Sequence, residues 1–212
     1  MGTTRRAQIL DTAATLFAER GFHGVSVHDI GAACGITGPA LYRHFAGKDA
    51  MLADVLVEIS EQLLAEGRRR AAAAEDPAKT LLALVRWHIE FALEHPALIV
   101  VQEREWTNLQ PRARDAVRSL QLAYIDEWVA AVRALRPGLD QASARAVAQA
   151  VFGLLNSTPH SARIDRDQMG RLLEQMAIGA LWHDASDVTQ ASDGTQAAGT
   201  TWPAGDLPVR TG

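Results

Sequence analysis

Apolar residues recur along this chain at spacings of three and four, and no alternation of apolar and polar positions lasts long enough for a strand. Ile9, Ala13, Leu16 and Phe17 make the first stripe, which predicts a helix over about 4–20, ended by Gly21 in a left-handed cap. Ser26, with Asp29 three residues on, reads as the cap of a second helix over about 27–34, burying Val27, Ile30 and Ala33 or Cys34. Gly35 ends it. Thr37 caps a third helix reaching about Phe45, and Pro39 is tolerated in its first turn because that amide has no partner there. A long fourth helix over about 48–73 sets Leu52, Leu56, Ile59, Leu63 and Leu64 on one face. Further helices are predicted over 78–94, 97–109, 112–135, 141–157 and 166–185, punctuated by Pro96, Pro111, Pro137 and Pro159. From 186 to 212 the chain turns to Ser, Thr, Gly, Asp, Gln and Pro without periodicity, which predicts a disordered tail. The pattern is therefore all-α, with about nine helices. It divides into a head at 1–47, a body at 48–185 and a tail at 186–212.

Two short helices joined at Gly35-Ile36-Thr37 make a helix-turn-helix over 26–45. On the second of them, Leu41 and Phe45 share one face and must dock on the first two helices. Pro39 and Arg43 lie opposite, with Tyr42 and His44 flanking that outer face and Gly38 beside Tyr42. A recognition helix in a major groove needs this arrangement: its leading turn meets the bases and donors on both flanks reach the phosphate strands. Gly38 lets the backbone come close, Thr37 offers a hydroxyl, and the Arg43 guanidinium can pair bidentately with guanine. Lys48 opposes the dipole at the start of the fourth helix, and an ammonium beside free amides is a phosphate clamp.

Composition narrows the class. Of 212 residues 48% are hydrophobic and 22% charged, which suits a globular protein with a real core. The net charge of −4 argues against a protein that coats nucleic acid, yet residues 1–48 carry +2 and the remainder −6. A basic head on an acidic body permits local phosphate contact. A single cysteine, Cys34, excludes a disulfide framework and fits a reducing compartment. No signal sequence opens the chain, and no apolar run approaches the roughly 20 residues of a membrane span, so a cytoplasmic protein is expected.

With these motifs in place, Ser26-Val27, Ile30, Ala33, Gly35-Ile36-Thr37, Leu41-Tyr42, His44-Phe45 and Lys48 resemble the DNA-binding signature of the tetracycline-repressor (TetR) family. The resemblance covers about residues 4–60. It implies that Thr37, Gly38, Tyr42, His44 and Lys48 contact DNA, with Ser26, Val27 and His28 joining them. Gly31 and Cys34 stand where the family usually has small helix formers, and Gly31 is expected to weaken the second helix by under about 1 kcal/mol. The resemblance also implies a ligand cavity among helices four to seven and a dimer interface on the last two. The segments "VVQEREWTNLQPRARDAV" and "NSTPHS" resemble those of family members that regulate lipid and sterol catabolism in response to acyl-CoA thioesters.

Residue types in the body supply candidates for both roles. Trp87, His88, Phe91, Trp106, Tyr124, Trp128, Phe152 and Asn156 combine aromatic surface with polar tips, as an effector pocket requires. Val147, Ala150, Val151 and Leu154, then Leu172, Met176, Gly179 and Ala180, form stripes that can pair two copies. Enzyme motifs are missing: His88-Ile89-Glu90 lacks the downstream Pro-Cys-x-x-Cys of zinc deaminases, and no His-Glu-x-x-His occurs. No metal or cofactor is called for. The expectation is a homodimeric transcriptional repressor that binds a palindromic double-stranded operator and leaves it when a small molecule, acyl-CoA-like or lipidic, binds the body. A helical dimer acting through protein partners without operator binding is the competing reading.

Overall fold

The computed structural model describes residues 5–161 and 163–182, so the expected start at Thr4, the residues 183–185 and the tail at 186–212 lie outside the described residues. Among the described residues the regular structure is helical throughout. The elements are α1 (Arg5–Arg20), α2 (Val27–Ala33), α3 (Gly38–Tyr42), α4 (Lys48–Ala72), α5 (Pro77–Glu94), α6 (Pro96–Arg104), α7 (Pro111–Leu135), α8 (Gln141–Leu155), α9 (Thr158–Ser161) and α10 (Arg166–Trp182). A 3-10 turn, Trp106–Asn108, lies between α6 and α7.

Local chemistry sets these boundaries. Ser26 and Asp29 close a reciprocal capping box on α2. Asp76 and Asp140 cap α5 and α8 by accepting from Lys79 N and Ser143 N. Pro77, Pro96 and Pro111 each occupy the first helical position, one residue earlier than the pattern alone placed the helix starts. Three expectations are corrected. The third helix stops at Tyr42, and Arg43 to Phe45 continue as a turn held by His44 N and Phe45 N donating to Leu41 O. The sixth helix breaks at Glu105 into the 3-10 turn instead of running to Leu109. The eighth ends at Leu155, and Thr158–Ser161 form a separate short helix.

Two buried clusters fill the fold. The first gathers α1, α2, α3 and the leading half of α4 around Ile9, Phe17, Ile30, Leu41, Met51 and Leu52, and it takes in Val101, Leu109 and Val117 from α6 to α7. The second gathers the trailing half of α4 with α5, α7, α8 and α10 around Leu81, Leu84, Trp128, Val132, Leu155 and Leu173. Their dividing line falls inside α4, between Leu56 and Ile59.

Two glycines are fixed by close approach. A methyl group at Gly31 would lie 3.0 Å from Ile36 O, whose own amide donates to Gly31 O at 2.9 Å. The tight turn of the helix-turn-helix therefore explains a glycine that sequence marked only as a weak helix former. On α4, a methyl at Gly67 would lie 2.6 Å from Cε2 of the buried Tyr124 ring on α7. Gly67→Ala is expected to destabilise the protein by about 1–2 kcal/mol, because overpacking outweighs the roughly 1 kcal/mol gain in helix propensity. Urea unfolding checks this, and a variant as stable as wild type would show that the ring yields freely.

Candidate DNA interface and effector cavity

The head presents a polar rim on a seated helix. Leu41 is fully buried and Phe45 nearly so, while Tyr42 is 57% exposed. Thr37, Pro39, Arg43 and His44 are also exposed, and His28 at the start of α2 is exposed beside them in sequence. Thr37 holds the cap position of α3 in extended backbone, but its hydroxyl makes no capping bond and stays free for an outside partner. Gly38 is half-buried, and open space surrounds the position where its side chain would be, so nothing inside the fold demands glycine there.

Three of the predicted contact residues are placed differently. The Ser26 hydroxyl donates to Asp29 and accepts from Asp29 N at 3.1 Å, so the cap occupies it; that hydroxyl and the Ser26 N–H, which donates to the same carboxylate at 2.8 Å, hold the Asp29 carboxyl below its ordinary range. Val27 is half-buried against the head core. Lys48 turns inward: its Nζ donates to Phe22 O at 2.7 Å and Val25 O at 2.8 Å and lies 4.2 Å from the centre of the Phe22 ring. Two of the three ammonium donors are thus spent on bracing the turn between α1 and α2. A phosphate can take only the third.

The same turn is gripped from the other side. The buried Glu105 carboxylate accepts from Phe22 N at 3.1 Å and from Asn108 Nδ2 at 2.7 Å. Asn108 Oδ1 meets His23 Nε2 at 3.0 Å, and Arg104 donates to Ala18 O at 2.9 Å near the end of α1. Sequence reasoning missed this joint, since a Glu and an Asn in a helix-ending segment give no signal of burial.

In the body, a cavity of about 170 Å³ opens among α4 to α8. His88, Phe91, Tyr124, Phe152 and Asn156 line it, as predicted by residue type. His88 is the hub, with the Phe152 ring 4.8 Å away edge-on, Tyr124 stacked at 5.9 Å, and Phe91 and Trp128 at 6.0 and 6.1 Å. Its Nε2 lies 3.0 Å from Asn156 Oδ1, which places the proton on Nε2 and leaves Nδ1 bare. Trp128 backs the cavity without lining it. Trp87 and Trp106 lie elsewhere: Trp87 donates to Leu63 O beneath the Arg70 guanidinium, and Trp106 packs on the head core. Sequence reasoning missed Gln102, Glu103, Gln121 and Gln149 in the lining. Gln121 and Gln149 stand one turn before Tyr124 and Phe152, so extending each aromatic face backward would have found them.

Of the predicted pairing stripes, Leu172 and Met176 are 42% and 48% exposed, Ala150, Gly179 and Ala180 are exposed, and Val147 and Leu154 are half-buried. Val151 is corrected: it is buried with Ala144, Ala148 and Leu155 in the chain's own core, because those four form the inward face of α8. A side chain at Gly179 would meet nothing within 4 Å. Among the described residues no helix is long and apolar enough to cross a membrane.

An exposed short helix seated on two others, together with an all-helical body that carries a half-open cavity, defines a helix-turn-helix protein. Two family models match, that of the bacterial regulatory proteins of the tetR family over residues 9–55 and that of the tetracyclin repressor-like C-terminal domain over 74–160. Together they span more than half of the chain, which belongs to the TetR family. It is similar to the HTH-type transcriptional repressor KstR2 of Rhodococcus jostii, 39% identical over 100 residues that make up 47% of this chain and 49% of the repressor. The chain thus matches about half the length of that relative. The solved structure of the ketosteroid transcriptional regulator KstR2 of Mycobacterium tuberculosis superposes with a TM-score of 0.71 at 25% identity, covering 84% of this chain and 95% of that one. AibR, solved in complex with isovaleryl coenzyme A and operator DNA, shares the fold at a TM-score of 0.69 and 21% identity, covering 82% and 97%.

Burial pushes the His88 pKa from 6.5 down to about 4, against a smaller opposing effect of the Asn156 bond. The unfolded chain therefore takes up a proton near pH 6.5 that the folded chain refuses until about pH 4. Stability present above 6.5 declines as pH falls through that window, by about 3 kcal/mol at full extent. Between pH 7 and 5, wild type is expected to lose about 2 kcal/mol more than His88→Gln in urea titrations. Parallel losses would show that His88 is not held neutral.

Proposed function

We propose that this chain is a ligand-responsive, sequence-specific DNA-binding regulator, cytoplasmic, homodimeric and acting as a repressor. The observation that carries the reading is the outward row of Thr37, Tyr42, Arg43 and His44 on a helix anchored from behind by Leu41 and Phe45. In this reading residues 1–47 form the DNA-binding head and 48–185 the ligand-binding and dimerisation body. Two heads about 34 Å apart, or a multiple of that, read successive major grooves of a palindrome. The exposed Ala150, Leu172, Met176, Gly179 and Ala180 pair the copies, and the open space at Gly179 lets helices approach closely.

The cavity takes the effector. Ketosteroid regulation is in the name of one structural relative and isovaleryl coenzyme A is bound to another, which favours an acyl- or lipid-like molecule. Ligand entry bears on α6, whose Ile99 and Gln102 line the cavity and whose end grips the head through Arg104 and Glu105. The resulting shift tilts α4, changes the spacing of the heads and weakens operator binding.

Tyr42→Phe is expected to weaken binding to palindromic DNA from beside its coding region by roughly tenfold, since a hydrogen bond to a charged phosphate is worth about 1.5–3 kcal/mol. Arg43→Ala is expected to lower discrimination at one base pair by about 1–3 kcal/mol. Fluorescence anisotropy at several salt concentrations measures both. Wild-type affinity in both variants, or no salt dependence, would remove DNA from the reading.

A further inference from the structure

Three residues that line the cavity carry polar atoms that the fold leaves unused. Gln121 Nε2, Tyr124 OH and His88 Nδ1 are all buried, and none has a hydrogen-bond partner. The Trp128 indole N–H lies near the Tyr124 oxygen but outside bonding geometry, so it too is unsatisfied. A buried polar group without a partner is destabilising, and three residues lining one small cavity each carry one. Two of them, the Gln121 amide and the Tyr124 hydroxyl, are donors. The third, His88 Nδ1, is an acceptor, because Nε2 carries the proton toward Asn156.

Charge is distributed as tellingly. Among the described residues no Lys or Arg lines the cavity, and its acidic group is the carboxylate of Glu103, half exposed and 3.6 Å from His160 Nε2. A ligand carboxylate or phosphate seated among these groups would be repelled by Glu103, while Arg70, whose charge reaches Tyr124, is already engaged by Glu66 and Glu90. An uncharged oxygen meets no such repulsion. A carbonyl accepts from Gln121 and Tyr124, and a hydroxyl can also donate to His88. The space itself, about 170 Å³, is close to that of an engineered apolar cavity of about 150 Å³ that holds benzene.

We infer that the cavity binds a compact apolar group, about the size of a six-membered ring, through one uncharged oxygen function held by Gln121 and Tyr124. A ketone, an alcohol or the carbonyl of an ester or thioester qualifies, and a free acid or an amine does not. This rests on the cavity being the effector site and narrows which effectors can occupy it.

The test uses the full chain, without DNA, and five probes on one skeleton: cyclohexanone, cyclohexanol, methylcyclohexane, cyclohexanecarboxylate and cyclohexylammonium. Thermal-shift titration gives each Kd. The ketone and alcohol are expected to bind at least tenfold more tightly than the two ions. Gln121→Leu is expected to weaken the ketone about tenfold, one hydrogen bond's worth, and to leave methylcyclohexane unchanged. Both Gln121→Leu and Tyr124→Phe are expected to melt no lower than wild type when unliganded, since each removes a group that bonds to nothing. The inference is overturned if the carboxylate binds as well as the ketone, if no probe binds, or if Gln121→Leu lowers the melting temperature of the free protein. Loss of operator binding would strike the regulator reading and leave these outcomes standing.

Discussion

One peptide unit ties the head of this protein to its body. Phe22 gives its N–H to the buried carboxylate of Glu105 and its carbonyl to the ammonium of Lys48, so an anion from the end of α6 and a cation from the start of α4 grip opposite sides of a single residue. Neither charge is free to leave cheaply. Glu105 is 4% exposed and holds a second bond from Asn108, and Lys48 also serves Val25. Removing Glu105 leaves the Phe22 N–H without its acceptor, and removing Lys48 leaves the Phe22 and Val25 carbonyls without that donor. The turn between α1 and α2, and with it the attitude of α3, is set there.

That grip explains why α6 matters out of proportion to its nine residues. Ile99 and Gln102 face the cavity, Val101 is buried in the head core, and Arg104 and Glu105 reach α1 and the turn after it. The long α4 gives a second connection, with Gly67 admitting the Tyr124 ring at the cavity and Lys48 bracing the turn at the other end. Both connections converge on the same few atoms of the head.

Much of this was legible in the sequence, and the exceptions share a cause. Periodicity gave the helices because each buries one face, and the capping pair Ser26 and Asp29 gave the start of α2 because its chemistry is local. The seating of Leu41 and Phe45 and the exposure of Tyr42, Arg43 and His44 followed from angle alone. What periodicity could not show is where a long side chain goes. Position in the sequence marks Lys48 as a phosphate clamp, and it does not show that the carbonyls of Phe22 and Val25, more than 20 positions earlier, take two of its three donors. Val151 falls in the predicted outer stripe because Val147, Ala150, Val151 and Leu154 span more than one face of α8, and only the neighbouring helices decide which of them is inward. Residue type places Trp106 with the cavity aromatics, but the break after Arg104 turns it toward the head.

The dividing line between the two cores has a practical meaning for anyone recombining such proteins. Met51, Leu52, Val55 and Leu56 belong to the head, although they lie on the same unbroken helix as Ile59, Leu63 and Leu64. A chimera cut at the loop before α4 would leave a foreign helix to complete the head's interior, and it would also replace Val101, Leu109 and Val117. Transplanting this head onto another body therefore means carrying over α4 as far as Leu56, about two and a half turns, and matching three hydrophobic residues far along the recipient chain.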